Sequence, residues 1–267
     1  MFAAVLIASV AGFGQFLGVQ PPQEPAANPK SMPLPRRLVG VHPVTILSGL
    51  LSQSSDDRKR ALQQLGDEYT VPTEPIEAGI RTVCLDADPE PEFILKAKGF
   101  PPASHAYVFE KDERGWWIIG DFIYGYHWDA NDAERFLEVR QILYHPHQSE
   151  EILVRDFGGG SELSENTLTI YAMYHQALYP IFEILEDRQE WIVGTNRTEF
   201  EHRDISFPEP NPNGPIFLLD RYEKRTKMAL EDGRSRSQRT AACAAYRWDA
   251  MAFEFVEERV EAKRLCR

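Results

Sequence analysis

The chain has 267 residues, of which 43% are hydrophobic, and it carries a formal net charge of −12 at pH 7. This length and composition allow one large domain or two small ones, with a core that needs no disulfide scaffold. An acidic surface repels phosphate backbones, so the charge argues against a nucleic-acid partner.

Residues 1–19 form an apolar N-terminal run. Phe2 to Val19 contains no charged residue and consists mostly of Ala, Val, Leu, Ile, Phe and Gly. Such a run predicts a secretory signal peptide. Its length also approaches the roughly 18–20 residues that span a bilayer, so an uncleaved N-terminal anchor is the alternative. We therefore expect an exported protein, periplasmic or secreted, that meets the membrane only through this segment.

Residues 20–38 are rich in proline, which predicts an extended linker or tether. Residues 39–69 then carry the pattern of a helical hairpin. Pro43 suits the first turn of one helix, Ser54 with Asp56 and Asp57 suits the start of a second, and Gly66 suits its end. The pattern L-x-x-L-L-S-x-S-S-D-D-R-K-R-A-L-Q-Q-L-G resembles a single HEAT-type helix pair. One such unit cannot form a solenoid, so we expect the pair to pack on a sheet or cap its edge.

Residues 70–267 are β-rich and predict a mainly β fold of antiparallel meander sheets. Short apolar runs with turns between them recur in three segments of four strands each, at Ile76–Tyr124, Phe136–Val193 and Phe200–Val260. In each segment the third strand carries a tyrosine: Tyr107, Tyr171 and Tyr246. The four-stranded units are typical of β-propeller blades.

An acidic loop lies between the first two predicted strands of the first segment. The sequence L-D-A-D-P-E-P-E-F-I-L places Asp86, Asp88, Glu90 and Glu92 at alternating positions. These residues resemble the calcium loop of FG-GAP/VCBS-like propeller blades, and the resemblance implies blade topology and a bound Ca²⁺. The family's loop has glycines where this one has prolines, the other two segments lack such a loop, and three units are fewer than a closed ring contains.

Alternating carboxylates on a tight turn can supply three or four of the oxygen ligands that Ca²⁺ prefers. The alternative for the same residues is a solvated acidic turn. No other cofactor is indicated.

The sequence lacks the nucleophile elbow G-x-S-x-G and the zinc motif H-E-x-x-H. Our first functional hypothesis is therefore an exported, non-catalytic binding or scaffold protein with a protein or carbohydrate partner, which aromatic residues such as Trp116 and Trp117 would contact. The alternatives are an extracytoplasmic hydrolase of polysaccharide or ester, and a calcium-stabilised β module.

The only basic stretch, Arg221–Arg239, is expected to be a long mobile insertion between two strands that could contact an anionic partner. Three cysteines allow at most one disulfide. We expect Cys84 and Cys243 to be buried apolar thiols.

Overall fold

The computed structural model describes residues 27–66, 71–86, 88–98, 104–124, 136–143, 149–160, 162–207, 215–230 and 234–266. The predicted signal or anchor at 1–19 lies outside these residues. The helices are α1 (Pro43–Leu50), α2 (Ser55–Leu65) and α3 (Arg259–Leu265). The strands are β1 (Arg37–Leu38), β2 (Glu77–Val83), β3 (Glu92–Lys98), β4 (Ser104–Asp112), β5 (Gly115–Tyr124), β6 (Leu137–Arg140), β7 (Glu151–Gly159), β8 (Leu163–Tyr174), β9 (Ala177–Ile192), β10 (Arg197–Ser206), β11 (Phe217–Ala229), β12 (Ser235–Asp249) and β13 (Glu254–Glu257).

The strands form two antiparallel sheets in which sequence neighbours pair. One sheet has five strands in the order β1-β5-β4-β3-β2, and the other has eight in the order β13-β12-β11-β10-β9-β8-β7-β6. The predicted mainly β, antiparallel meander is confirmed, and all twelve predicted strands overlap β2 to β13. The first predicted unit is β2 to β5. The second and third units are continuous in one sheet, because β9 pairs directly with β10.

The helical hairpin forms as its local signals predict. Ser54 caps α2 by accepting a hydrogen bond from the backbone N–H of Asp57, and Gly66 ends the helix with a left-handed φ of 77°. The buried faces of α1 and α2 pack on the five-stranded sheet, where Ile46 and Leu62 meet Leu95 and Phe109. The prediction that this helix pair packs on a sheet is confirmed.

The other face of the five-stranded sheet packs on the eight-stranded sheet. Val83, Ile94 and Val108 contribute to this layer from one sheet, and Ile152 and Leu178 contribute from the other. A third apolar cluster fills the eight-stranded sheet, which curls so that β13 contacts β9. The molecule thus has helices, a five-stranded sheet and a curled eight-stranded sheet as successive layers.

The proline-rich stretch departs from the expected tether over its described part. Leu34 donates its backbone N–H to the carbonyl of Leu178, and Arg37 and Leu38 pair with β5. This segment therefore contacts both sheets and belongs to the folded body.

The basic stretch is also not an insertion. Its described residues, apart from Leu230 and Arg234, belong to β11 and β12, which pair from Phe217–Arg247 to Ala229–Ser235. Ion pairs join these polar strands to their neighbours: Lys224 on β11 pairs with Glu199 on β10, and Arg239 on β12 pairs with Glu223 on β11.

The expected burial of Cys84 and Cys243 as free thiols is wrong. Cys243 on β12 forms a disulfide with Cys266 at the end of α3, and Cys84 is an exposed free thiol. Sequence spacing could not reveal this pairing, because it depends on α3 folding back onto β12. Within the described residues, no helix is both long and apolar enough to span a bilayer.

Candidate cation site

The acidic loop joins β2 to β3 and brings three of its four predicted ligands together. One carboxylate oxygen from each of Asp86, Asp88 and Glu92 lies within 4.8 Å of the others. Asp86 and Asp88 come from the loop, whereas Glu92 is the first residue of β3. The alternation of acidic residues along a tight turn therefore produces the convergence that the sequence predicted.

Hydrogen bonds within the loop set this geometry. The Asp86 carboxylate accepts the backbone N–H of Asp88 at 2.8 Å, and the Asp88 carboxylate accepts that of Glu90 at 2.7 Å. Each aspartate thus closes a turn with its own side chain, as aspartates commonly do in loops. These bonds use one oxygen of each carboxylate and leave the other oxygen available.

Glu92 is the buried member of the cluster. Its side chain points to the face that packs on the eight-stranded sheet, and only 1% of the residue is exposed. One carboxylate oxygen accepts the backbone N–H of Leu85, while the other, Oε1, is buried and meets no donor among the described residues. The Glu110 carboxyl lies within hydrogen-bond reach of the Glu92 side chain. A buried carboxylate oxygen without a partner is costly, and it calls for a cation or a proton.

Glu110 is a fourth carboxyl group that the sequence analysis missed. It lies on β4, and the register pair Phe93–Phe109 places it beside Glu92 on the same face of the sheet. The residue is 2% exposed. A signal for it existed in the sequence, because alternation along Ala106 and Val108 puts Glu110 on the inward face of the strand.

The carboxyl groups perturb one another. Burial raises the pKa of Glu92, and the negative charges of Asp86 and Asp88 raise it further. Burial likewise raises the pKa of Glu110, with added repulsion from Glu92 and both aspartates. Burial also raises the pKa of Asp86. The cluster therefore resists full ionisation unless a positive charge enters it.

Glu90, the remaining predicted ligand, is not part of the converging group. Both of its carboxylate oxygens accept from the ammonium group of Lys111 at 2.7 Å. The side chain of Glu90 is 53% exposed in this pair. In this structure Glu90 forms a surface salt bridge outside the converging group.

The donor set fits a hard divalent cation. Asp86, Asp88 and Glu92 each offer a carboxylate oxygen, with the Glu110 carboxyl beside Glu92, and oxygen ligands are the ones that Ca²⁺ and Mg²⁺ select. An irregular site made by a turn and a strand side chain suits the variable coordination of Ca²⁺ better than the strict octahedron of Mg²⁺. Waters would complete the six to eight ligands that Ca²⁺ takes.

The aromatic residues expected at a partner surface lie inside the fold where the structure describes them. Trp116 contacts His42 and Phe93 edge-on in the layer beneath the helices. Trp117 packs against the layer between the two sheets, and the Arg36 guanidinium lies 4.8 Å over its ring. These two tryptophans serve packing.

No family model, curated protein or solved structure matches this chain. The resemblance to propeller blades remains a prediction, and the function has to be argued from the site itself.

Proposed function

We propose that this protein is an exported, non-catalytic β module whose five-stranded sheet is stabilised by a calcium ion bound to Asp86, Asp88, Glu92 and Glu110. The observation that carries the proposal is the buried, unpartnered Oε1 of Glu92 beside two aspartate carboxylates. A calcium ion would supply the missing partner and offset the repulsion among the acidic groups.

The position of the site makes it a structural element. Glu92 and Glu110 lie at the rim of the layer between the two sheets, close to the ends of β3 and β4. Nearby, the backbone carbonyl of Cys84 accepts the backbone N–H of Glu150 at 2.6 Å. Glu150 leads into β7 of the eight-stranded sheet. A cation in the loop would therefore fix the contact between the two sheets.

Export is supported by the disulfide between Cys243 and Cys266, because such bonds persist in oxidising compartments.

A hydrolase is the weaker candidate at this site. Glu92 and Glu110 do form a carboxyl pair with raised pKa values, as an acid–base pair would. Both are almost fully buried, however, and a polymeric substrate needs direct access to such a pair.

The test is thermal unfolding of the full chain with excess calcium and with a chelator. A ligand at about 100 times its Kd stabilises the folded state by about 2.7 kcal/mol, which corresponds to a Tm rise of about 5 °C or more for a protein of this size. The double variant Asp86→Asn/Asp88→Asn should lose this rise.

Glu90→Gln is the matched control, because Glu90 lies in the same loop but pairs with Lys111. It should keep the calcium-dependent rise. Equal Tm values for the wild type in calcium and chelator would refute the proposal and leave a proton shared between Glu92 and Glu110 as the occupant. A rise that Glu90→Gln also abolishes would point to general screening of the acidic loop instead.

A further inference from the structure

The outer part of the eight-stranded sheet extends beyond the core as a single layer. None of the described residues in the ranges 185–204, 221–230 and 234–241 is buried. Both faces of this region therefore meet solvent. We call its outer end, residues 191–198, 227–230 and 234–237, the distal tip.

Two neighbouring hairpins form the distal tip and are held together by their backbones. The turn between β9 and β10 lies beside the end of β11, because Ala229 donates its N–H to the carbonyl of Asn196 at 2.8 Å. Met228 pairs in register with Arg197, and Leu230 donates its N–H to the carbonyl of Arg234 at 2.8 Å. The tip is thus a defined edge rather than two separate loops.

The distal tip exposes large apolar side chains. The exposed fractions are 53% for Trp191, 69% for Val193, 42% for Met228 and 39% for Leu230. Trp191 and Met228 belong to opposite faces of the sheet. Trp191 is aligned through Thr198 with Lys227, and Lys227 and Met228 are consecutive residues of β11, whose side chains point to opposite faces. The apolar residues therefore surround the edge instead of covering one face.

The tip is also locally basic in an acidic protein. We call residues that are aligned across β9, β10, β11 and β12 a row. The outermost row across all four strands is Ile192, Arg197, Met228 and Arg236, and the adjacent row, on the other face of the sheet, is Trp191, Thr198, Lys227 and Ser237. These two rows contain three cationic residues and no carboxylate. In the sequence, the segment between β11 and β12 adds Arg234 together with Glu231 and Asp232, so cationic residues still outnumber acidic ones. The next row inward holds Glu190 and Glu199, the latter paired with Arg197. The remaining molecule carries the negative charge that gives a total of −12.

We propose that the distal tip binds the surface of an anionic lipid bilayer. Tryptophan and aliphatic side chains suit the boundary between headgroups and acyl chains, and arginine and lysine around them suit anionic headgroups. A folded protein partner would need one continuous apolar face, whereas a bilayer accepts an edge with apolar residues on both sides. The acidic body would be repelled from the same surface, so the tip would approach first.

This contact is independent of the cation site and of the predicted N-terminal membrane segment. An apolar N-terminal anchor inserts with little dependence on headgroup charge, whereas a basic tip needs anionic lipid and weakens in salt. These different dependences separate the two kinds of membrane contact in one experiment.

The experiment is sedimentation of the full chain with vesicles of phosphatidylcholine alone and with added phosphatidylserine, at low and high salt. The triple variant Trp191→Ser/Val193→Ser/Met228→Ser should bind the phosphatidylserine vesicles at least tenfold more weakly. The matched control, Met251→Ser/Val260→Ser, removes apolar side chains that are 57% and 76% exposed outside the tip, and it should bind like the wild type.

A second readout locates the contact. Brominated lipid should quench the fluorescence of the wild type more than that of Trp191→Phe, because Trp191 would lie at the headgroup boundary. Binding that ignores phosphatidylserine and salt, or an absence of binding, would overturn the proposal. So would a triple variant that binds vesicles normally but loses self-association in ultracentrifugation, since the tip would then be a contact between copies of this chain.

Discussion

Glu92 and Glu110 lie side by side on β3 and β4, next to the register pair Phe93–Phe109, and both side chains are buried at the rim of the layer between the sheets. Burial raises the pKa values of both groups, and the negative charges of Asp86 and Asp88 raise them further. Their ionisation is therefore resisted in the folded chain but not in the unfolded chain.

Glu110→Gln tests this relationship. Because the folded pKa of Glu110 is raised, its contribution to stability is complete below the unfolded pKa and is lost as the pH rises through the folded value. In chelator, the wild type should lose stability as the pH rises from about 4.5 towards 9, and Glu110→Gln should lose less. Urea unfolding across this range measures the difference. With calcium, the wild type should be the more stable of the two proteins, since the variant lacks one charged ligand. A calcium-dependent stabilisation of Glu110→Gln equal to that of the wild type would remove Glu110 from the ligand set.

A second pH effect should come from Glu151, which is buried at the start of β7. Burial raises its pKa to about 8, although its carboxylate accepts the backbone N–H groups of Ile142 and Leu143. The folded state therefore holds a proton that the unfolded chain releases near its ordinary Glu value.

The expected result is a loss of stability as pH rises from about 4.5 towards 8, with a slope of at most about 1.4 kcal/mol per pH unit from this group. Glu151→Gln keeps an oxygen that can accept the two N–H groups and should flatten this slope. The check is the difference between the unfolding free energies of wild type and variant at several pH values. Parallel curves for the two proteins would show that Glu151 is not protonated in the fold.

The strand pattern was predictable where a strand carries an apolar run. All twelve predicted strands are present, because strands such as β4 and β7 contain short, continuous apolar runs that are buried on both faces. The outer halves of β11 and β12 were missed for the opposite reason. Both of their faces meet solvent there, so no apolar alternation marks them, and pairs such as Lys224–Glu199 replace apolar packing.

The candidate site was predictable only in its local part. Asp86, Asp88 and Glu92 lie within one turn, so their spacing alone indicates convergence. Glu110 comes from the next strand, and only the register of β3 with β4 brings it to the cluster. Glu90 has the same spacing as the others, yet it forms a salt bridge with Lys111 on β4 and lies outside the cluster. The position of Lys111 next to the loop again depends on strand pairing.

Arg58 should be the most sensitive residue of the helical hairpin. Its buried guanidinium donates to the carbonyls of Ser52, Pro72 and Thr73 at 2.7, 3.1 and 2.9 Å, respectively, and so joins α2 to the segment that leads into β2. Arg58→Met would leave these carbonyls without their donor and should destabilise the fold by about 3 kcal/mol or more. Arg60→Ala is the control on the same helix. Arg60 is exposed, and its one ion pair with a described residue is with Asp57 on the surface, so its loss should cost about 0.5 kcal/mol or less in urea unfolding.

The glycine run at the end of β7 offers a matched pair of substitutions. Gly159 has a φ of +139°, and a Cβ there would lie 2.2 Å from the carbonyl oxygen of Leu163. Gly159→Ala should therefore destabilise the β7–β8 hairpin by about 2 kcal/mol or more. A Cβ at Gly158 meets nothing within 4 Å, so Gly158→Ala should leave the unfolding free energy within about 0.5 kcal/mol of wild type. Similar losses for both variants would mean that flexibility of the whole run matters, and not the contact at Gly159.

The cysteines allow a direct count of thiols. Cys243 and Cys266 form a disulfide that ties α3 to β12, whereas Cys84 is exposed and free. Alkylation of the native, oxidised protein should label one cysteine, Cys84, and labelling after reduction and denaturation should find three.

The bridge closes a loop with a sequence separation of 23 residues, and its loss in Cys243→Ser/Cys266→Ser should cost about 3 kcal/mol by the chain-entropy estimate. Cys84→Ser is the control and should remain near wild-type stability, since its thiol only weakly contacts the carbonyl of Asp86 at 3.6 Å. Three labelled cysteines in protein recovered from an oxidising compartment would contradict the bridge and remove its support for export.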